Sequence, residues 1–152
     1  MEPKPRWLSD GEQRAWRAWI ASSQLLLDRL SRDIQEQHGL TMADYEILVR
    51  LSESPDHRVR MSELADQTLA SRSRLSHQID RMENRGFVSR EQCADDKRGQ
   101  FAVLTESGWQ TLVAAAPDHV ESVRTHLVDV LTPAEFAELG AACEKILGGL
   151  HD

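Results

Sequence analysis

"MSELADQTLASRSRLSHQIDRMENRGFVSREQCADDKRGQFAVLT", residues 61–105, decides how this chain folds. "SELADQTLA" is long enough for one short helix, with Leu64 and Ala65 turned inward. "SRSRLSHQIDRMENRG" is a second helix that opens on Ser71, a good N-cap, and closes on Gly86. Leu75, Ile79 and Met82 fall at i, i+4 and i+7 along it, which makes one buried stripe. The opposite face carries Arg72, Ser73, Arg74, Ser76, His77 and Arg81. Beyond Gly86, "FVSREQ" and "QFAVLT" read as two short strands joined by the polar tip "CADDKRG". Phe101, Val103 and, less regularly, Leu104 are the apolar positions of the returning strand.

The flanking sequence is helical on both sides. "SDGE" at 9–12 has the spacing of a capping box, so a helix starts near residue 10 and runs without proline to His38, with Gly39 as its stop. Trp16, Trp19, Ile20, Leu26, Leu27, Leu30 and Ile34 recur along it at helical spacing. A helix of nearly 30 residues exceeds what one small core needs, which suggests that it crosses another subunit. "GLTMADYEILVRLSES" restarts a helix with Thr41 as N-cap, Asp44 near its positive end, and Tyr45, Leu48, Val49 and Leu51 on the apolar face. "SPDHR" is a loop and "VRM" a short strand. After the hairpin Thr105 caps a helix over 106–131, which Pro117 should bend or interrupt. "TPAE" at 132–135 starts the last helix, through Phe136, Leu139, Cys143, Ile146 and Leu147 to Gly148 and Gly149. The predicted fold is mainly α with a small β-wing. It is a single domain of about six helices and a two- to three-stranded sheet. Within it, 41–105 form a winged helix-turn-helix and both termini form a helical dimerisation region (10–38 and 106–150).

Composition narrows the class. The 152 residues are 40% apolar and 28% charged, ordinary for a globular protein. No apolar run reaches the ~18–20 residues of a membrane span, and the N-terminal "MEPKPRWLSDGEQ" has no secretory h-region. Cys93 and Cys143 lie 50 residues apart without paired spacing, so a cytoplasmic protein without a disulfide framework is expected. The net charge of −7 is unevenly spread: residues 57–100 hold nine Lys and Arg against seven Asp and Glu, so that segment is +2 and the remainder −9. Residues 71–90 hold five arginines against Asp80 and Glu83. Charge alone leaves two readings open, a phosphate-binding surface or a solvated helix face.

The order of elements favours the first. Reading duplex DNA requires a short helix to brace a second one whose N-terminal half enters the major groove. Short hydroxyls permit close approach, and long cations reach phosphates and base edges. Ser71, Arg72, Ser73, Arg74, Ser76 and His77 meet that demand; Arg72 and Arg74 could each pair bidentately with guanine. The hairpin adds a second contact, and an arginine at its tip suits the negative potential of a narrow minor groove.

On "GLTMADYEIL", on "MSELADQTLASRSRLSHQIDRMENRGFVSRE" and above all on "DDKRG" followed by "VLTESG", the sequence resembles the MarR (multiple-antibiotic-resistance regulator) family over nearly the whole chain. The resemblance implies a homodimeric transcription regulator, usually a repressor, whose first and last two helices form the dimer interface. It implies that Arg98 is the wing residue of the minor groove, that Asp96 shapes the wing, and that residues facing out between Ser71 and His77 face the major groove. Lys97 shares the tip, and its two acids would hold Arg98 in place. Half-sites would lie one helical turn apart, ~34 Å.

Two branches of the family fit poorly. The peroxide-sensing branch has a reactive cysteine in its first helix, and none is present there; Cys93 lies in the wing loop instead. The zinc-sensing branch needs clustered ligands, whereas His119 and His126 lie seven apart, ~10 Å along a helix, too far to share one ion. No metal or other cofactor is expected. Family effectors are often small aromatic or anionic molecules bound where dimer helices meet the DNA-binding lobe. In "WRAWI" Trp16, Arg17, Trp19 and Ile20 could supply an aromatic wall and a cation, or the tryptophans could fill the dimer core; Trp109 is expected in the core. No nucleophile triad, phosphate loop or paired carboxylates mark an enzyme. A winged-helix adaptor that never touches DNA would not need both a cationic helix face and Arg98.

Overall fold

The computed structural model describes residues 4–96 and 98–150. The chain forms α1 (Asp10–His38), α2 (Met42–Glu53), β1 (Arg58–Arg60), α3 (Met61–Gln67), α4 (Arg72–Asn84), β2 (Val88–Gln92), β3 (Gln100–Leu104), α5 (Glu106–His126) and α6 (Pro133–Leu150). Single 3₁₀ turns occupy Pro55–His57 and Val128–Val130. These are six α-helices and a three-stranded antiparallel sheet in the order β1-β3-β2, the architecture of a winged helix.

Local chemistry sets the helix ends. Ser9 and Glu12 satisfy each other's backbone amides at the start of α1 (2.8 and 3.3 Å), and Thr132 and Glu135 do the same for α6 (2.8 and 3.2 Å). These exchanges draw the carboxyls of Glu12 and Glu135 below the usual range, because backbone and hydroxyl donors favour the charged form. Thr41 caps α2 through the Asp44 amide (3.0 Å), and Gly39 leaves α1 with φ +64°.

The chain folds as two compact units, residues 33–122 and the remaining described residues at both ends. The central unit owns the core. Leu40, Ile47, Leu48 and Leu51 meet Leu64 of α3, Leu75, Ile79 and Met82 of α4, Val88 and Ala102 of the sheet, and Leu112 of α5. Asp44, buried at the start of α2, accepts a hydrogen bond from Gln78 Nε2 of α4 (3.3 Å). Arg85 Nη1 lies 3.9 Å from its other oxygen and donates to Gly39 O (3.0 Å), while its guanidinium covers the Phe87 ring. A buried carboxylate is tolerated here because donors surround it.

Gly108 fixes the start of α5. Thr105 Oγ1 donates to Gly86 O (2.6 Å) and accepts from the Gly108 amide (3.0 Å), and Thr105 N donates to Phe87 O (3.1 Å). The helix comes so close to this turn that a Cβ on Gly108 would lie 2.1 Å from Phe87 O and 2.8 Å from Leu104 Cδ1. Only glycine fits.

In the terminal unit Leu30 is the one buried apolar side chain among the described residues. Trp16 (53% exposed), Trp19 (42%), Leu25 and Leu27 of α1 and Phe136, Ile146 and Leu147 of α6 all face outward. No helix among the described residues is long and apolar enough to cross a membrane.

Four expectations need correction. The strand is "RVR", not "VRM": Val59 is the buried residue, and Met61 already begins α3. In β3 the inward residues are Ala102 and Leu104, while Phe101 and Val103 are only half-buried. The sheet is two-faced, and Phe101 carries Arg58 and Arg60 on its ring (4.6 and 5.6 Å). Pro117 does not interrupt α5, which ends instead at His126. Val113, whose carbonyl loses its helical donor, is exposed, so water can take the donor's place. Trp109 is 37% exposed and stacks on His57 (centroids 5.3 Å apart, planes 11°), which is held at the surface by left-handed backbone at Asp56 and His57.

Candidate nucleic-acid interface

The helix-turn-helix is built around one tight turn. Thr68 N donates to Leu64 O and Ala70 N to Ala65 O, which ends α3. Leu69 takes a left-handed φ of 55° and stands 76% exposed at the tip. Ser71 then caps α4, its Oγ accepting from the Arg74 amide at 3.1 Å, so this serine serves the helix it begins.

Along α4, Leu75, Gln78, Ile79 and Met82 are buried. Arg72, Ser73, Arg74, His77 and Arg81 are exposed on the other side. Ser76 differs: it is half-buried, and its carbonyl and Oγ accept from Arg90 Nη2 (3.1 and 3.3 Å). Arg90, on β2, also pairs through Nη1 with Asp80 and Glu83 (3.4 Å), while its amide donates to Glu83 Oε2 (3.0 Å). Two carboxylates and a carbonyl thus consume this cation, which clamps α4 to the wing sheet. Arg58 pairs with Glu91 (3.4 Å). In contrast, no hydrogen bond or ion pair among the described residues engages the guanidinium of Arg72, Arg74, Arg81 or Arg98. The outer face of α4 and the wing tip thus each carry unpaired positive charge.

The wing tip is closed by backbone. Cys93 N donates to Gly99 O (3.0 Å), and Gly99 N donates to Asp96 O (3.0 Å). Asp96 Oδ1 accepts from the Arg98 amide (2.9 Å), so the acid fixes the backbone of the tip and leaves the guanidinium exposed. Lys97 lies outside the described residues. Cys93 is buried at the base of the loop, with its sulfur 3.1 Å from where a Gly99 Cβ would stand. The wing packs tightly on both.

The wing and α4 face each other across an open cleft of about 270 Å³, lined by Arg72, Leu75 and Ser76 from α4 and by Asp96, Arg98, Gly99 and Gln100 from the wing. Arg60, Met61 and Ser62 complete it. Arg60 was not among the sequence candidates. The available signal was the alternation Arg58-Val59-Arg60, which puts both cations on the outer face of β1.

Trp16, Arg17 and Trp19 are each exposed on α1; Trp16 and Trp19, three apart, share a face that Arg17 does not. Among the described residues no group of three or more His, Cys, Asp or Glu side chains could hold a metal ion.

This combination, a braced helix with unpaired cations beside an arginine-tipped wing, defines a winged helix-turn-helix protein of the DNA-binding class. The MarR family model matches residues 40–99. AbsC, a MarR family transcriptional regulator from Streptomyces coelicolor, is 53% identical; its crystal structure superposes with a TM-score of 0.93 over 97% of this chain and 99% of its own. Sco3205, a second family member from that organism solved in complex with DNA, is 46% identical, with a TM-score of 0.94 over 96% of this chain and 92% of its own. The transcriptional regulator HosA of Escherichia coli is 33% identical over 94 residues, 62% of this chain and 68% of that protein. The chain belongs to the MarR family of winged-helix transcription regulators, which are not enzymes.

Proposed function

We propose that this protein is a cytoplasmic repressor that binds a pseudo-palindromic operator as a homodimer and releases it in response to a small ligand. The observation that carries the DNA reading is the set of unpaired arginines, Arg72 and Arg74 on α4 and Arg98 on the wing, on a chain of net charge −7. Unpaired cations clustered on one helix face and the neighbouring loop tip of an acidic protein suit an anionic partner there. The similarity to Sco3205, which was solved with DNA, supports duplex DNA as that partner.

In this reading residues 41–105 are the reading lobe. Ser71, Arg72, Ser73, Arg74, Ser76 and His77 supply the major-groove face, where Ser73 and Ser76 are short enough for close approach, and Arg98 enters the adjacent minor groove behind the turn shaped by Asp96, with Lys97 as a further DNA-binding residue of the tip. Helices 10–38 and 106–150 form the dimer. Its support is the outward apolar surface of α1 and α6, where each large side chain gains about 1.5–3 kcal/mol when a second copy covers it. Trp16 and Trp19 join that contact, and Arg17, next to Trp16 in the chain, offers a cation to a small aromatic or anionic effector. Binding that favours a different spacing of the two reading lobes would lower affinity by population shift.

Selection of bound sequences from a random duplex pool tests the proposal. The expected product is an inverted repeat with half-site centres one helical turn apart, about 34 Å. Recovery of no motif, or of a single unrepeated half-site, would count against it.

A further inference from the structure

We infer that Arg60 clamps one DNA backbone phosphate in the cleft between α4 and the wing, between the major-groove residue Arg72 and the minor-groove residue Arg98. The inference rests on the DNA reading above and adds a contact outside both the helix face and the wing tip. Three guanidiniums line a cleft of about 270 Å³ in which Asp96 is the one carboxylate. The cleft is open to solvent and large enough to admit a phosphate group.

Comparison of Arg60 with Arg58 sharpens the assignment. Both lie on the outer face of β1, and both guanidiniums stack on the Phe101 ring. Arg58 pairs with Glu91 (3.4 Å) and does not line the cleft. Arg60 has no carboxylate partner among the described residues and does line it. Phe101 sits opposite Arg60 in the strand register, so the ring holds the side chain without consuming its five donors. The cleft opens between the surfaces assigned to the major and minor grooves. A DNA strand passing from one groove to the next presents a phosphate there, and planar guanidiniums bind its oxygens bidentately.

The test is fluorescence anisotropy with duplex DNA over a series of salt concentrations, for wild type, Arg60→Gln, Arg60→Lys, Arg58→Gln and Arg98→Ala, with thermal melts to verify folding. Arg60→Gln is expected to bind about tenfold more weakly on every sequence, with the slope of log K against log salt smaller by about 0.9. Arg60→Lys should keep the slope, and Arg58→Gln should lie nearer to wild type than Arg60→Gln does, because Arg58 does not line the cleft. Wild-type affinity and slope in a folded Arg60→Gln, while Arg98→Ala binds weakly, would overturn the clamp and leave the DNA reading intact. Absence of wild-type binding at low salt would overturn both. Binding of inorganic phosphate that is lost in Arg60→Gln while DNA affinity stays unchanged would make the cleft a free-anion site and overturn the clamp.

Discussion

Gly108→Ala should destabilise the protein although it replaces the poorest ordinary helix former with the best. The added Cβ would stand 2.1 Å from Phe87 O and 2.8 Å from Leu104 Cδ1, so the start of α5 must retreat by about 1 Å before ordinary contact is restored. Overpacking of this kind costs about 1–3 kcal/mol. The retreat also lengthens the bond from Thr105 N to Phe87 O, now 3.1 Å, and that from Thr105 Oγ1 to Gly86 O, now 2.6 Å, at about 1 kcal/mol each. Alanine returns at most about 1 kcal/mol of helix propensity, and less in a first turn. The net loss is about 2–4 kcal/mol, or about 4–16 °C in Tm for a chain of this size. Urea unfolding followed by circular dichroism, at one fixed protein concentration, measures it directly. Gly11→Ala is the control: an added Cβ there meets nothing within 4 Å, so stability should be unchanged or slightly raised. A Gly108→Ala loss below about 0.5 kcal/mol would refute the close approach of α5 to the Gly86–Phe87 turn.

Arg90 and His119 give two further expected outcomes. Arg90→Ala should cost about 1–3 kcal/mol and weaken DNA binding without changing its salt slope, since Arg90 positions α4 against the wing and spends its charge on Asp80 and Glu83; a smaller slope in anisotropy titrations would make Arg90 a phosphate contact instead. His119 lies against Tyr45 (centroids 4.5 Å) with its Nδ1 buried and unpartnered, and burial holds its pKa below the ordinary 6.5. Between that lowered value and 6.5 the unfolded chain binds more protons, so stability rises with pH there and is lost as pH falls from about 6.5. Unfolding free energies from pH 7.5 to 5 should therefore fall less steeply for His119→Leu than for wild type, and equal slopes would remove His119 as the cause.

Much of this fold was legible because its signals are local. Capping boxes at Ser9 and Thr132, the N-caps Thr41 and Ser71, and the Leu75–Ile79–Met82 stripe each depend on a few neighbouring residues. What stayed hidden depends on residues distant in sequence. The one-residue shift of β1 follows from its pairing with β3, in which Val59 meets Ala102. Trp109 looked like core by its size, yet the ring that stacks on it belongs to His57, about 50 residues earlier. Arg90 read as one more surface cation, because nothing local announces that Ser76, Asp80 and Glu83 converge on it. Gly108 stood inside "VLTESG" as part of a resemblance; its steric reason appears only when α5 meets the turn before β2. For the candidate site, exposure separates Arg72, Ser73, Arg74 and His77 from Ser76, a distinction that helical periodicity alone could not draw.

Whether the unpaired arginines of α4 and the wing hold duplex DNA is decided by a salt series of anisotropy titrations. The duplex comes from the selection experiment, and wild type is measured beside Arg98→Ala. Wild-type affinity should fall steeply with salt, while Arg98→Ala should bind at least several-fold more weakly and with a shallower slope. Equal affinity and equal slope for the two proteins would contradict a DNA contact at the wing.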